Sequence, residues 1–175
     1  MHPVLECLMT RRACRKFKKD AVPTEILEEI INAGLYAPSG HGSQSAAIIA
    51  IANPKLKAEI SKLNCSFGPW EPPFDPFYGA PVIILVVAKK DCPTAVYDGS
   101  LVLGNLQNAA FALGLGSCWI HRAKEEMETE WGKELLKSLG FEGEYIGVGH
   151  LALGYRDGEL PEAPERLDGR SVIVN

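Results

Sequence analysis

PVIILVVA, residues 81–88, is the stretch that decides the fold. A strand with one face in water alternates apolar and polar residues, whereas this run carries no polar side chain at all. It is therefore predicted to be a central strand that is covered on both faces. Three further runs are predicted to be strands: AAIIAIA at 46–52, SCWIH at 117–121 and IGVGHLALGY at 146–155.

Helices are predicted between these strands, where apolar residues recur every three or four positions. The predicted segments are Pro3–Thr10, 24 to about 35, 54 to about 63, 98–113, and an amphipathic helix through Met127, Trp131 and Leu135 that ends near Gly140. The helix at 98–113 is apolar nearly all round, which is typical of a helix in a core or an oligomer interface. Because crossover helices do not follow the strands regularly, the pattern predicts an α+β fold with a sheet sandwiched by helices.

No repeat, linker or low-complexity segment divides the chain, so residues 1–175 are predicted to form one domain. The segment at 65–79 is predicted to be a loop, since its four prolines and several aromatic residues do not suit regular structure. The polar, proline-rich tail ends in SVIVN at 171–175, which is predicted to pair as an edge or intermolecular strand.

The overall composition excludes several classes of protein. A net charge of −4 argues against nucleic acid binding, which favours a basic domain. No apolar run approaches the ~20 residues of a membrane span, and the first residues do not resemble a secretion signal, so a cytoplasmic protein without a membrane partner is expected. The five cysteines form no CxxC pair, so neither a disulfide framework nor a metal site is predicted. Cys14, which lies among cations, is the one candidate for a reactive thiol.

The positive charge of this acidic chain is concentrated in RRACRKFKK at 11–19. Six of its 18 basic residues lie there: Arg11, Arg12, Arg15, Lys16, Lys18 and Lys19. If the first helix continues through this stretch, Arg11 and Arg15 share a face, one turn apart. Arginine forms forked hydrogen bonds that match a phosphate or a planar O/N edge, so the spacing favours an anion site. The alternative is a solvated surface segment, above all at the lysines.

Two glycine-containing stretches add to this pattern: APSGHGSQS at 37–45 and ALGLGSCWI at 112–120. The first supplies backbone N–H groups and small hydroxyls to a ligand that approaches closely. There is no GxGxxG after a strand and no GxxxxGK[ST], so neither a Rossmann nor a P-loop site is indicated.

With these motifs in this order, the chain resembles the FMN-dependent nitroreductase family over nearly its whole length. RRACRKF is similar to the family's R-R-S-x-R-x-F, and AGLYAPSGHGSQS to its A-x-x-A-P-S-x-x-N-x-Q-P-W segment. FYGAPVIILVVA, the apolar helix after Asp98, ALGLGSCWI and GHLALGY also have family counterparts. The resemblance implies a central mixed or antiparallel sheet and a domain-swapped homodimer with FMN sites at the subunit interface.

The resemblance implies one group of residues at the FMN phosphate. Its members are Arg11, Arg12 and the backbone of Ala13, with Arg166 and Arg170 returning from the tail. Arg15 would reach the pyrimidine edge of the isoalloxazine ring. Ala13 stands where the family has Ser, which removes one hydroxyl donor to the phosphate, worth about 0.5–1.5 kcal/mol.

A second group is implied at the flavin ring. Pro38, Ser39, Gly40, Gly42 and Gln44 would contact flavin bound mainly to the other subunit, and Ile120, His121 and Arg122 would lie against the ring near N5. Gly42 stands where the family has Asn, which puts the usual polar contact there in doubt. His121 has two interpretations, a proton donor or a backbone and packing contact. His41 is a candidate for the substrate side, and His150 is predicted to be a satisfied core histidine.

The implied reaction is ping-pong hydride transfer from NADH or NADPH through FMN N5 to a nitroaromatic, a quinone or a similar small acceptor. No catalytic acid is required, since the acceptor can be protonated from solvent. The aromatic loop is either a lid over the substrate or a surface loop packed on the core. Three alternatives stay open: a flavin-binding protein without turnover, a module that binds acidic partners through 11–19, and an enzyme of the same fold with other flavin chemistry.

Overall fold

The computed structural model describes residues 1–71 and 73–175; Pro72, in the middle of the predicted loop, lies outside the described residues. Six α-helices and four strands are found in the described part. The helices are α1 (Pro3–Thr10), α2 (Thr24–Leu35), α3 (Pro54–Ser66), α4 (Ala95–Ala112), α5 (Ala123–Glu128) and α6 (Glu130–Ser138). The strands are β1 (Ala46–Ile51), β2 (Val82–Lys89), β3 (Gly116–Ile120) and β4 (Tyr145–Gly154), and a short 3-10 turn covers Gly40–Gly42.

The four strands form one sheet in the order β1-β2-β4-β3, and every neighbouring pair is antiparallel. Strand β2, which contains most of the apolar run at 81–88, is one of the two inner strands, and all its residues except the last are buried. Its central Leu85 pairs with Ile49 of β1 on one side and His150 of β4 on the other. The predicted α+β fold and the covered central strand are confirmed.

The core has two layers, one on each face of the sheet. Alternate residues of β2 enter different layers, as the period of two in a strand requires. The layer beneath α3, α5 and α6 takes Ile83, Leu85 and Val87, and the layer beneath α2 and α4 takes Val82, Ile84 and Val86. Each fully buried side chain of this size stabilises the fold by about 1.5–3 kcal/mol, so the six residues hold both helical layers on the sheet.

One of the predicted helices is divided into two in the structure. The amphipathic helix predicted through Trp131 is split into α5 and α6 at Thr129, whose backbone is extended. The Thr129 hydroxyl donates to the carbonyl of Glu126 and accepts from the N–H of Gly132, so one side chain ends the first helix and caps the second.

The basic stretch is not helical. Helix α1 ends at Thr10, and Arg11 already has ψ 135°. The chain then runs extended along the edge of β3, where Ala13 pairs with Ser117 and the N–H of Cys14 donates to the Ser117 carbonyl over 2.9 Å. The condition under which Arg11 and Arg15 would share a helical face is therefore not met, because the chain pairs with the sheet here and does not continue the helix.

The tail beyond Arg156 forms no strand in the described part, and residues 157–175 are exposed. Within one chain SVIVN is thus not an edge strand, and its pairing with another chain stays a prediction. Among residues 1–71 and 73–175, no helix combines the length and the apolar character that crossing a bilayer demands.

Candidate functional site

The arginines of the basic stretch lie beside β3 and have no acidic partner in the part of the chain that the structure describes. Nη1 of Arg12 donates to the carbonyls of Met9 and Arg11, at 2.8 Å each, while its Nε is buried and has no hydrogen-bond partner in the described part of the chain. Within residues 1–71 and 73–175, none of the arginines at 11, 12 and 15 takes part in an ion pair. Guanidinium groups whose charge no acidic residue of the described part neutralises suit an anion.

The lysines of the same stretch behave differently. Lys16 forms an exposed ion pair with Asp157 at 2.9 Å, whose hydrogen bond and charge lower the pKa of that carboxyl. Lys18 and Lys19 are exposed. The surface interpretation therefore fits the lysines, and the anion interpretation fits the arginines.

The loop at 38–45 is held in a strained conformation. His41 and Gln44 have φ values of 53° and 47°, in the left-handed region that favours glycine, and Gly42 between them has φ 66°. The Ser39 hydroxyl accepts the N–H of Gln44 over 3.0 Å, which closes the loop on itself. Left-handed non-glycine residues are costly and persist where the surroundings enforce them, often at ligand sites.

Asp98, at the start of α4, is what enforces this loop. Its carboxylate accepts the N–H of Gly40 at 2.9 Å and the hydroxyl of Ser45 at 2.7 Å. The hydroxyls of Ser43 and Thr94 also donate to it, at 3.2 and 3.0 Å. The Ser45 and Gly40 donors together hold the pKa of Asp98 below its usual range.

Sequence reasoning missed this role of Asp98. The residue begins the predicted helix at 98–113, and its only sequence signal was an acidic residue in the first turn of a helix. Apart from Thr94, its partners come from a loop more than fifty positions earlier and meet it only once β1 pairs with β2.

The third set of predicted residues forms a turn at the end of β3. Ile120 is the last residue of β3 and pairs with His150, and His121 is exposed. Arg122 caps α5 with φ 82°, and its guanidinium pairs with Glu125 at 2.8 Å. The carbonyl of His121 accepts from the Asn64 side chain at 2.7 Å, so the turn is fixed from within the core.

The arginines lie beside β3 and the turn at His121 follows the end of the same strand. The loop at 38–45 lies at the opposite edge of the sheet. Strand β3 connects Ser117, beside Ala13, with the turn at His121 over roughly 13 Å at the usual rise of a strand. The loop precedes β1, and three strand spacings separate β1 from β3, roughly 14 Å. A single chain therefore places the loop at 38–45 and the arginines on opposite edges of the sheet.

Comparison with known proteins agrees with this architecture. Residues 8–155 match the family model described as the nitroreductase family. The chain belongs to that family. The crystal structure of a Bacteroides fragilis nitroreductase with bound FMN superimposes with a TM-score of 0.89 at 26% identity, covering 100% of both chains.

Two further relatives of this nitroreductase-family chain carry other names. A Thermus thermophilus protein named NADH dehydrogenase is 29% identical over 177 residues, which is 94% of this chain and 78% of the relative. The structure of oxidised iodotyrosine deiodinase bound to FMN and 3-iodo-L-tyrosine has a TM-score of 0.75 at 25% identity and covers 98% of this chain and 97% of its own. The resemblance stated from the motifs is confirmed at the level of the family.

The remaining predicted residues of this nitroreductase-family chain lie apart from the site within one chain. Arg166 and Arg170 are exposed in the tail, so their return to a phosphate stays a prediction. Cys14 is buried and its thiol donates to the carbonyl of Lys16 at 3.1 Å, which argues against a reactive thiol. Burial also raises the pKa of the neighbouring Cys118 thiol.

The aromatic loop is anchored at one end and open at the other. Phe77 is 2% exposed and meets the His150 ring edge-on at 5.2 Å. Asp75 accepts the hydroxyl of Ser61 at 2.7 Å and the N–H of Phe77 at 3.0 Å, which fixes this end on α3. Trp70 and Phe74 stack at 5.6 Å between ring centroids and stay partly exposed. The loop thus has both a core anchor and an aromatic surface.

Proposed function

We propose that this chain is an FMN-dependent oxidoreductase of the nitroreductase family that uses NADH or NADPH to reduce a small acceptor, such as a nitroaromatic or a quinone. The observation that carries the proposal is that, within residues 1–71 and 73–175, Arg11, Arg12 and Arg15 form no ion pair and lie beside β3, the strand that leads to His121. The chemistry that bound FMN would supply is hydride uptake from the nicotinamide and electron transfer to the acceptor, in a ping-pong cycle.

The residues of this chain fit the two ends of that cofactor. Arg11 and Arg12, with the backbone of Ala13, would hold the phosphate through charge-assisted hydrogen bonds. Arg15 is exposed and would supply positive charge at the pyrimidine edge, where negative charge develops on reduction. The turn at His121 would lie against the ring, and the acceptor would draw its protons from solvent.

The active form is proposed to be a homodimer. The loop at 38–45 would then contact flavin held by the arginines of the partner subunit, which reconciles its position on the opposite edge of the sheet. Helix α4 supports this arrangement, because Val96, Tyr97 and Leu101 are apolar and exposed on its outer surface. Exposed apolar patches of this kind mark interfaces. We propose that residues 1–175 form one domain. In it, α4 would pack on the core with one face and on the partner subunit with the other.

The first test is the visible absorption spectrum of the purified protein before and after NADH or NADPH is added. A flavin spectrum that bleaches supports the proposal, and a protein that takes up no FMN refutes it. Flavin that stays oxidised with both nicotinamides favours a binding protein without turnover.

A pair of charge variants tests the phosphate site. Arg12→Ala is expected to weaken FMN binding about 10- to 100-fold, because a hydrogen bond to a charged group contributes about 1.5–3 kcal/mol. Lys18→Ala removes the same charge from an exposed position and should leave the dissociation constant within about twofold. Equal losses in the two variants would indicate a diffuse charge effect rather than a phosphate site.

A second candidate is reductive dehalogenation, which the similarity to iodotyrosine deiodinase favours. Rates of flavin reoxidation by a nitroaromatic, a quinone and 3-iodo-L-tyrosine, measured on the reduced protein without oxygen, discriminate between the two chemistries.

A further inference from the structure

A buried polar network lies directly behind the turn at His121. Glu126 and His150 are fully buried, and Asn64 is 1% exposed. Nε2 of His150 lies 2.6 Å from one carboxylate oxygen of Glu126, and the Asn64 amide donates to the other at 2.6 Å. The same Asn64 amide nitrogen donates to the carbonyl of His121 at 2.7 Å. Side chains from α3, α5 and β4 are thereby connected to the peptide group between His121 and Arg122.

Such a network is an expensive way to fill a core. Asp and Glu are almost never fully buried, and a carboxylate removed from water costs free energy that its partners only partly restore. The imidazole Nδ1 of His150 has no hydrogen-bond partner in the described part of the chain, so the network leaves one of its own polar atoms unsatisfied. Apolar residues would pack this position at lower cost. What they would not provide is a donor aimed at the His121 carbonyl.

The carbonyl fixes the direction of the next N–H. In a planar trans peptide the C=O of His121 and the N–H of Arg122 point in opposite directions. Because the carbonyl is held inward by Asn64, this N–H faces away from the core. No hydrogen bond from it is found in the described part of the chain. The left-handed φ of 82° at Arg122, unusual for a residue with a side chain, belongs to the same enforced turn.

We propose that Asn64 and Glu126 are positioning residues for the flavin ring: they orient the His121–Arg122 peptide so that its N–H is presented to the isoalloxazine. Asn64 acts directly on the carbonyl, and Glu126, itself held by His150, fixes the Asn64 amide. This inference rests on the proposed function, since the ring is assigned to this turn there.

The test compares the binding of FMN with that of riboflavin, which has the ring but no phosphate. Asn64→Leu keeps a similar volume and removes both hydrogen bonds. The variant should weaken the binding of FMN and of riboflavin by the same factor, about 3- to 10-fold, as expected for the loss of one neutral hydrogen bond. Glu126→Gln retains an acceptor for Asn64 and should bind both ligands within about twofold of the unmodified protein.

Two controls separate this effect from others. Ser61→Ala removes a hydrogen bond from the same helix α3 to Asp75, away from His121, and should leave both affinities unchanged. Arg12→Ala should weaken the binding of FMN and leave the binding of riboflavin, which has no phosphate, unchanged. An Asn64→Leu protein that is folded and binds both flavins with unchanged affinity overturns the inference and leaves the proposed function intact. An unmodified protein that binds neither flavin overturns both.

A measurement on the unmodified protein covers the case in which Asn64→Leu does not fold. Hydrogen exchange of the Arg122 amide, followed by NMR, should be fast without ligand and slowed at least tenfold by riboflavin as well as by FMN. Exchange that neither flavin changes overturns the inference, whatever the variants do.

Discussion

Two phenylalanines three positions apart in the aromatic loop differ sharply in burial, and their truncation tests how the loop is anchored. Phe77 is 2% exposed and packs on His150, while Phe74 is 39% exposed and stacks on Trp70. Phe77→Ala removes a core side chain and leaves a cavity, which typically costs about 3–5 kcal/mol of the free energy of unfolding. Phe74→Ala loses only partly buried area and opens to solvent, so its cost is expected to be about 1–2 kcal/mol.

The assay is urea unfolding followed by far-UV circular dichroism, at one protein and one FMN concentration for all variants, because both concentrations shift apparent stability. With a slope of about 2 kcal/mol per M, Phe77→Ala should lower the midpoint by roughly 2 M and Phe74→Ala by less than about 1 M. Phe77→Leu keeps most of the volume and should fall between the unmodified protein and the alanine variant.

Equal midpoint shifts for Phe77→Ala and Phe74→Ala would refute the anchoring of this loop through Phe77. A Phe74→Ala protein that keeps its stability but shows a raised KM for the acceptor would favour the lid interpretation of the loop. Unchanged stability and unchanged KM would favour a surface loop without a role in substrate binding.

Three further predictions address packing, assembly and pH. Gly147→Ala would drive a Cβ into the backbone at the start of α5, so a loss of about 3 kcal/mol and a Tm lower by roughly 6–12 °C are expected in thermal unfolding. Leu101→Glu on α4 should convert a dimer to a monomer in light scattering, whereas Leu139→Glu, which is about as exposed, should not. The Ser45 hydroxyl is the foremost of the donors that lower the pKa of Asp98. The Asp98 carboxylate therefore stabilises the fold above the ordinary aspartate pKa of about 4, and this contribution is lost as the pH falls through the lowered pKa. Asp98→Asn should flatten the acid limb of a curve of Tm against pH.

The sheet could be predicted from the sequence because its strands are made of local apolar runs. Residues 81–88 needed no distant information to be recognised as a covered strand, and α1 was delimited by Pro3 and Thr10 as the structure has it. The split at Thr129 was missed, because an amphipathic pattern continues across both helices and only the cap hydrogen bonds of the threonine side chain reveal the break.

The candidate site was less accessible to sequence reasoning. The arginines were recognised by type, but the extended backbone that carries them depends on pairing with Ser117, about a hundred positions away. His150 was expected to be a satisfied core histidine, and one nitrogen does meet Glu126 while the other has no partner in the described part. Sequence offered no sign of Asn64, whose two contacts come from residues about sixty positions further along.

The extended segment that carries Arg11, Arg12 and Arg15 also covers the outer side of β3, an edge strand of the sheet. An uncovered edge strand offers free N–H and C=O groups to other chains and is a common starting point for aggregation. Here the cover is a short cationic segment held by few backbone bonds, whose like charges repel a second copy of itself. The same positive charges that are proposed to hold the FMN phosphate thus also protect this edge from pairing with another chain.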